Sequence, residues 1–322
     1  MNILITGATG FIGRNLADAL SKTNHSVRCL ARENANVNYF RNMDVEISYG
    51  DLLVKDSFSD SLEEIDLVYH LAGEVYSRKG DDYYKGNVLT TRNLLEVCKE
   101  KRIRRIIYMS TVGVYKPKPD KTLLTEESFC EPITYYGKTK LYGEQLLKKY
   151  DIPFVIVRAP VIYGPTQPAL INKFFIDILI KRKMYVIGDG SNLRSLCYIS
   201  NLVEGLASLA EKQSGEGGIF LLSDNSSYTL NEIVTIASKV SGQDIKTVYL
   251  PDILADISWG LYNLMSKTFN LYFIELYAAK TMKLNIGCDI GKAHNVIGYN
   301  PKINLETGLK RTLEWINGGY HS

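Results

Sequence analysis

A phenol and an ammonium group stand four residues apart in this chain, at Tyr136 and Lys140. The surrounding pattern predicts a helix over 134–149, so the two side chains share one helical face. A free phenol, with a pKa of about 10, is a poor base at neutral pH, but a nearby ammonium group favours the phenolate and lowers that pKa. The pair therefore predicts proton exchange with a substrate oxygen, in which Lys140 tunes Tyr136.

Proton exchange of this kind needs a hydroxyl group that orients the substrate oxygen. Ser110 and Thr111 follow an apolar run at 106–109 that predicts a buried strand. Ligands meet a parallel sheet at the carboxyl ends of its strands, which is where these two hydroxyls stand. A tyrosine and a lysine at this spacing are common by chance, so the prediction also depends on a cofactor site.

Three glycines at the start of the chain predict that cofactor site. They separate a predicted strand at 2–6 from a predicted helix at 11–20. The first permits a tight turn, the second lets the backbone approach a pyrophosphate, and the third allows close helix packing. Free N–H groups at the start of the helix then face the phosphate oxygens, whereas the alternative is a glycine turn without a ligand. The predicted cofactor contacts in this loop are Gly7, Gly10, Phe11, Ile12 and Gly13.

The choice between NAD(H) and NADP(H) depends on the end of the second predicted strand, at 26–31. An acidic residue there accepts a hydrogen bond from the ribose 2′-hydroxyl, whereas an arginine binds a 2′-phosphate. Ala31 leaves no acid at this position, and Arg32 follows it, with Arg28 as support. The sequence therefore predicts NADP(H), with NAD(H) as the alternative cofactor and a solvated surface arginine as the alternative interpretation of Arg32.

Strands alternate with helices through the first half of the chain. This order predicts an α/β fold, a Rossmann-type doubly wound parallel sheet with helices on both faces. We expect a dinucleotide-binding domain over 1–160, to which a strand near 219–223 returns. A smaller, mainly C-terminal substrate-binding lobe takes 161–200 and 225–322, and its pattern is mostly helical. Further predicted elements are strands at 45–49, 66–71 and 153–157 and a helix at 82–101.

Charge and cysteine content limit the partners and the compartment. The net charge of +3 is too small to indicate nucleic acid or an anionic membrane as a partner. The five cysteines are widely spaced and form no C-x-x-C pair, which predicts reduced thiols in the cytoplasm and neither disulfides nor a metal site. We also expect no signal peptide, because neither a basic lead nor a cleavage site is recognisable.

An aromatic and aliphatic segment at 253–279 raises the question of a membrane span. Asp256, Lys267 and Glu275 interrupt it, whereas a spanning helix needs about 20 nearly uninterrupted apolar residues. We therefore expect no span. Two interpretations stay open: packed helices of the smaller lobe, or a helix that docks at an interface toward a lipid-like substrate.

Taken in order, these motifs resemble the extended short-chain dehydrogenase/reductase superfamily, particularly its NAD(P)-dependent nucleotide-sugar epimerase and reductase branch. The resemblance runs almost from end to end. Beyond the glycine loop and the Tyr136/Lys140 pair, it rests on these stretches: Gly50-Asp51-Leu52, His70-Leu71-Ala72-Gly73, Asn87 with Asn93-Leu94-Leu95-Glu96, Ser110 to Tyr115, Arg158 to Pro165, Gly188-Asp189-Gly190 with Arg194, and Asp289 to Ala293.

The resemblance implies roles for several of these residues. Asp51 and Leu52 stand where the family meets adenine, and Leu71, Ala72 and Gly73 stand where it contacts the cofactor ribose. Thr111 becomes the catalytic hydroxyl, and Lys140 also grips the nicotinamide ribose. Arg194 corresponds to an arginine that binds the substrate diphosphate, with a structural salt bridge between lobes as the alternative. The family also implies a homodimer, formed through the helices at 82–101 and 134–149.

The chain departs from the family pattern at two instructive places. Dehydratases of the family carry an acidic pair after the catalytic hydroxyl, whereas Val112 and Gly113 follow Thr111 here, which argues against 4,6-dehydration. Ser200 and Asn201 stand where many epimerases have paired aspartates. Together with the aromatic segment, this second departure favours the branch that resembles 3β-hydroxysteroid dehydrogenases.

Our leading hypothesis is an enzyme that interconverts a secondary alcohol and a ketone on a nucleotide-activated sugar, using Tyr136, Lys140 and Thr111. Retention and rotation of the ketone gives epimerisation, and its release gives net reduction or oxidation. One rival is a dehydrogenase of a sterol, terpenoid or other lipid-like alcohol. Another is a non-enzymatic cofactor-sensing protein on the same fold, because a fold alone does not fix a function.

Overall fold

A computed structural model describes residues 1–118, 120–166, 177–211 and 217–318 of this protein. Part of the predicted smaller lobe, residues 167–176, lies outside these ranges. The strands are β1 (Asn2–Thr6), β2 (Ser26–Ala31), β3 (Glu46–Tyr49), β4 (Leu67–His70), β5 (Arg105–Thr111), β6 (Phe154–Ala159), β7 (Val161–Tyr163), β8 (Lys183–Ile187), β9 (Leu193–Tyr198), β10 (Ile219–Leu221), β11 (Ser227–Thr229) and β12 (Lys246–Leu250). The helices are α1 (Phe11–Leu20), α2 (Lys55–Phe58), α3 (Gly80–Tyr84), α4 (Thr90–Glu100), α5 (Tyr135–Leu147), α6 (Ile199–Glu211), α7 (Leu230–Ser241), α8 (Ile253–Phe269), α9 (Ile274–Thr281), α10 (Gly291–Ile297) and α11 (Leu305–Asn317).

Seven parallel strands form the central sheet, in the order β10-β6-β5-β4-β1-β2-β3. The strand order reverses at β1, which pairs with β2 on one side and β4 on the other. A crevice opens at such a reversal, outside the carboxyl ends of the strands, and this is where doubly wound folds bind ligands. The predicted Rossmann-type fold is confirmed.

Both faces of the sheet are buried, as the near-continuous apolar runs of its strands require. Side chains of β1 alternate between the two faces. Ile3 and Ile5 join the core beneath α1 and α6, whereas Leu4 joins the core beneath α4 and α5. Two helical layers therefore hold the strand ends rigidly, and these ends carry the predicted site.

The helix predicted at 82–101 is continuous but not regular. α3 leads into a π-helical turn at Lys85–Leu89, and α4 continues from it without leaving helical geometry. Asn87 lies buried in this turn. Its side-chain amide donates to the carbonyl of Glu74 at 2.9 Å and to the Thr139 hydroxyl at 3.0 Å. Turns of this kind often mark functional sites, because they turn one side chain out of the regular helical register.

The second half of the chain is less helical than its pattern predicts. One small sheet has the order β11-β9-β7, and β8 pairs with β12 in another. The strands are short, and no residue of β11 or β12 is fully buried, so neither sheet leaves a strong apolar pattern in the sequence. The segment at 253–279 forms α8 and α9, separated at Asn270, which adopts a left-handed conformation. Among the described residues, no helix is long and apolar enough to cross a membrane.

Candidate active site

The glycine loop between β1 and α1 forms a tightly packed cradle. Gly7 has a φ of +68°, and a Cβ atom there would lie 2.6 Å from the backbone nitrogen of Ala72. A Cβ atom at Gly13 would overlap the carbonyl oxygen of Gly7. Gly10 caps α1 with backbone alone, so no side chain covers the first N–H groups of the helix. Phe11 and Ile12 open that helix, and its N–H groups and positive dipole suit a pyrophosphate.

The loop after β4 brings the cofactor cradle to the predicted catalytic lysine. Ala72 packs against Gly7. A Cβ atom at Gly73 would lie 2.7 Å from Asn87 Oδ1 and 3.5 Å from Lys140 Nζ. Leu71 packs against the core on the α1 side of the sheet. The structure therefore places Leu71, Ala72 and Gly73 between the glycine loop and Lys140. The sequence analysis assigned Asn87 to the helix but missed its hydrogen bonds to the loop.

The residues predicted to meet the adenosine part of the cofactor differ in exposure. Arg32 is exposed immediately after β2. Asp51 accepts a hydrogen bond from the backbone N–H of Leu53 at 2.9 Å, and Leu52 is buried in the core. Arg28 does not support Arg32 as expected. Instead its guanidinium pairs at 2.8 Å with Glu46, which lies directly opposite it on β3.

The carboxyl end of β5 meets the start of α5 at the same edge of the sheet. Thr111 ends β5, and its hydroxyl accepts a hydrogen bond from Gly113 N at 3.1 Å, which caps the turn at Val112–Val114. A Cβ atom at Gly137 would overlap the carbonyl oxygen of Gly113, so the first turn of α5 lies directly on this turn. Tyr136 precedes Gly137 in this first turn of α5, and its ring lies 6.3 Å from the Tyr83 ring, measured between centroids.

Lys140 lies one turn further along α5, almost completely buried, with its Nζ atom 4.4 Å above the Tyr108 ring. Burial lowers the pKa of Lys140 to about 7, and the nearby Glu144 carboxylate opposes this change. Burial raises the pKa of Tyr136 well above its ordinary value, with Tyr277 and Tyr83 adding to the effect. The expected lowering of the phenol pKa is thus absent. Desolvation by burial is the largest cause of both changes, because it disfavours the charged form of each group.

A buried ion pair lies behind these residues. Glu144 follows Lys140 by one helical turn, and Arg158 on β6 contacts its carboxylate through Nε at 2.9 Å and Nη2 at 2.5 Å. Ser110 donates to the same carboxylate at 2.5 Å. The sequence analysis missed this network. The four-residue spacing of Tyr136, Lys140 and Glu144 indicates that they share one face of α5. It does not indicate that Glu144 pairs with an arginine on β6.

The C-terminal part of the chain adds a phenol-rich wall, formed by Tyr262, Tyr272 and Tyr277. Tyr277 on α9 lies close enough to Tyr136 and to Tyr76 to influence their ionisation. Arg194 on β9 also faces Tyr277, and burial lowers the pKa of its guanidinium to about 10. The guanidinium donates to the carbonyl of Thr281 at the end of α9. Within the described ranges no carboxylate pairs with Arg194, and its recorded partner is this backbone carbonyl.

Three comparisons place these features among known proteins. The profile of the NAD dependent epimerase/dehydratase family matches residues 3–222. The uncharacterized protein y4nL of Sinorhizobium fredii is 32% identical and covers 97% of this chain and 94% of its own length. A 4-hydroxy-2-methyl-3-oxo-4-farnesyl-3,4-dihydroquinoline-1-oxide ketoreductase of Stigmatella aurantiaca is 29% identical, over 96% of this chain and 95% of its own. Among solved structures, UDP-glucuronic acid 4-epimerase from Bacillus cereus in complex with NAD superimposes with a TM-score of 0.79 at 26% identity, covering 99% of both chains.

Proposed function

Because this chain belongs to the NAD-dependent epimerase/dehydratase family, we propose that it interconverts a secondary alcohol and a ketone on a nucleotide-activated sugar. The observation that carries the proposal is the convergence of the glycine cradle, the Thr111 turn and the Tyr136/Lys140 face of α5 at one sheet edge. The likeness to the UDP-glucuronic acid 4-epimerase over almost the whole chain supports a sugar nucleotide as substrate.

The residues present fit a nicotinamide dinucleotide. The loop of Gly7, Gly10 and Gly13 has little room for side chains. The uncovered N–H groups at the start of α1 suit the pyrophosphate of the dinucleotide. Gly73 and Lys140 would contact the nicotinamide ribose, and their closeness supports this, since a Cβ atom at Gly73 would lie 3.5 Å from Lys140 Nζ. When bound, the nicotinamide ring supplies or accepts the hydride.

Each catalytic side chain then has one task. The Thr111 hydroxyl orients the substrate oxygen, and Tyr136 exchanges a proton with it. Burial keeps the phenol protonated at neutral pH, which suits donation of a proton to an oxygen that gains negative charge during ketone reduction. Lys140 stands beside Gly73 to hold the cofactor and to supply positive charge while it is protonated.

The first test combines a substrate panel with Tyr136→Phe. UDP-glucose and UDP-glucuronic acid are incubated with the protein and NADP(H) or NAD(H), following nicotinamide absorbance and the sugar products by NMR. We expect turnover of at least one sugar nucleotide, as a C4 epimer or a reduced product. Tyr136→Phe removes the proton donor but not the ring, so turnover falls by at least about 100-fold while cofactor affinity stays within twofold. Near-normal turnover in the variant rules out this role.

We further propose that the cofactor is NADP(H), because Arg32 follows a β2 end that carries no acid. Arg32→Ala should weaken NADP(H) binding by about tenfold or more and leave NAD(H) binding unchanged, since only NADP(H) carries the phosphate that the guanidinium would bind. Arg104→Ala, which removes an arginine that is 81% exposed before β5, serves as the control. Equal NADP(H) affinity in wild type and Arg32→Ala contradicts the assignment.

A second candidate substrate class is a lipid-like alcohol or ketone. It is favoured by the phenol-rich wall of Tyr262, Tyr272 and Tyr277 and by the 29% identity to the farnesyl-dihydroquinoline ketoreductase. Arg194 separates the two classes, because a diphosphate needs its guanidinium and a sterol does not. Protection of the protein against heat by UDP-glucose that disappears in Arg194→Ala supports the sugar nucleotide. Turnover of a 3β-hydroxysteroid that survives Arg194→Ala supports the lipid-like substrate.

A further inference from the structure

The segment around Thr111 is anchored on both sides to one buried ion pair, formed by Glu144 and Arg158. Ser110, immediately before Thr111, donates to Glu144 Oε1 at 2.5 Å. Tyr115, immediately after the turn that Thr111 caps, lies under the guanidinium of Arg158, whose Cζ atom is 4.6 Å from the ring centroid. Arg158 in turn donates to both oxygens of Glu144. The contact from Ser110 and the contact from Tyr115 therefore lead to the same carboxylate, the first directly and the second through Arg158.

Glu144 belongs to α5, the helix that also carries Tyr136 and Lys140. Glu144 lies on α5, four residues beyond Lys140 and eight beyond Tyr136, so the three side chains share a face. Ser110 and Arg158 lie directly opposite each other on β5 and β6. Their side chains reach α5 from neighbouring strands. The carboxylate of Glu144 therefore joins α5, β5 and β6 through its contacts with Ser110 and Arg158.

We propose that Glu144, with Arg158 and Ser110, is a positioning device that sets the Thr111 hydroxyl against the Tyr136/Lys140 face of α5. The inference rests on the proposed function, because it assigns Thr111 and Tyr136 to the same reaction. All three residues are buried, and they act through Thr111 and Lys140. A misplacement of about 1 Å between reacting groups lowers a rate by up to roughly 100-fold, so such a device has a measurable consequence.

Glu144 has a second effect, on the charge of Lys140. The ionisable groups that contact or influence Lys140 are Glu144 on α5, His70 on β4 and Tyr108 on β5, and Tyr136 lies one helical turn before it on α5. His70 is buried and neutral at pH 7, because burial lowers its pKa to about 3. Glu144 is therefore the only one of these four that offers Lys140 a negative charge at neutral pH, and it favours the ammonium form.

Ser110→Ala is the decisive variant, since it breaks one anchor and leaves the Glu144–Arg158 ion pair in place. We expect kcat to fall about tenfold while KM and the cofactor Kd stay within twofold and the melting temperature changes little. Ser61→Ala is the matched control: Ser61 is equally buried and hydrogen-bonded, at 2.6 Å to Ser48, but lies near β3. Unchanged kcat in Ser110→Ala, or losses in both serine variants alike, would overturn the proposal.

Glu144→Gln tests the charge without relying on turnover. In protein labelled with ¹³Cε-lysine, with the signal assigned through Lys140→Met, we expect the Lys140 titration to move to lower pH in Glu144→Gln. An unmoved titration contradicts the charge effect. A wild-type protein that binds cofactor but converts no substrate would refute the proposed function and with it the positioning role, whereas the effect of Glu144 on the charge of Lys140 is still tested by the titration. Should Glu144→Gln fail to fold, Ser110→Ala alone decides.

Discussion

Single residues of this protein meet the cost of burial in three different ways. Glu144 and Arg158 pair with each other, which compensates two charges at once. His70 stays neutral and bridges two hydroxyls, with Thr6 Oγ1 at 2.8 Å and Thr91 Oγ1 at 2.9 Å. Asp224 is buried and, in the part of the chain that the structure describes, pairs with no cation; it accepts hydrogen bonds from the Tyr198 N–H, the Asn201 amide and the Tyr163 hydroxyl. The cost of burying Asp224 therefore depends on its protonation state more than the cost of burying His70 or the Glu144–Arg158 pair does.

Asp224 makes the stability of the fold depend on pH. Burial raises its pKa from 3.8 to about 6, against the opposing effect of its hydrogen bonds. The folded protein thus holds this proton more tightly than the unfolded chain does. The resulting stabilisation is complete below about pH 4 and is lost as the pH rises through 6. A shift of this size corresponds to about 3 kcal/mol.

Asp224→Asn removes the titration but keeps an oxygen that accepts from Tyr198 and Asn201. Urea unfolding at pH 4, 5, 6 and 7 gives the free energy of unfolding for both proteins. We expect the value for wild type, relative to that for the variant, to fall by up to about 3 kcal/mol between pH 4 and pH 7. Parallel pH profiles for the two proteins would contradict a buried proton at Asp224.

Among the elements, α5 determines the geometry of the site through one close approach. Its first turn lies on the Val112–Val114 turn at Gly137, where no larger residue fits. Gly137→Ala should push α5 away from Thr111, lower turnover by at least about tenfold and lower the melting temperature. Gly260→Ala on α8, where nothing lies within 4 Å of the added carbon, should leave both unchanged or raise the melting temperature slightly. Equal behaviour of the two alanine variants would contradict the close-approach argument.

The elements that could be predicted from sequence are those with a strong local pattern. β1, α1 and β2 fall at 2–6, 11–20 and 26–31 as expected, because apolar strands alternate there with a glycine-rich turn and an amphipathic helix. Tyr136 and Lys140 share a face for the same local reason. The two small sheets and the Glu144–Arg158 pair could not be predicted, since each depends on which distant segment packs against which. Their residues carry no local periodicity that identifies the partner.

At the scale of the whole molecule, the smaller lobe closes over the start of α5. The Tyr262 hydroxyl accepts a hydrogen bond from the Tyr135 N–H at 3.4 Å, and the Tyr272 ring stacks on the Tyr135 ring with centroids 4.7 Å apart. Tyr135 is thus a packing residue between lobes, although it neighbours the proton-transfer phenol. Because α5 touches both lobes, movement of the smaller lobe would be transmitted directly to Tyr136.

The outer side of α3 and α5 presents a surface that fits self-association. Tyr84 on α3 and Tyr142 on α5 are exposed by 37% and 48%, and both lie near Tyr135. Exposed aromatic side chains grouped on adjacent helices are typical of protein interfaces, where they contribute large apolar contacts. We expect a homodimer formed through the helical regions at 82–101 and 134–149.

Tyr142→Glu tests this dimer by placing a charge at the centre of the expected contact, where its burial would be unfavourable. Light scattering should give twice the chain mass of 36.3 kDa for wild type and the single chain mass for Tyr142→Glu. Tyr249→Glu, at a tyrosine that is 55% exposed on β12, is the matched control and should remain dimeric. Since α5 also carries Tyr136, separation of the dimer should lower turnover as well as mass. A monomeric wild type, or a Tyr142→Glu protein that keeps the dimer mass, would exclude this interface.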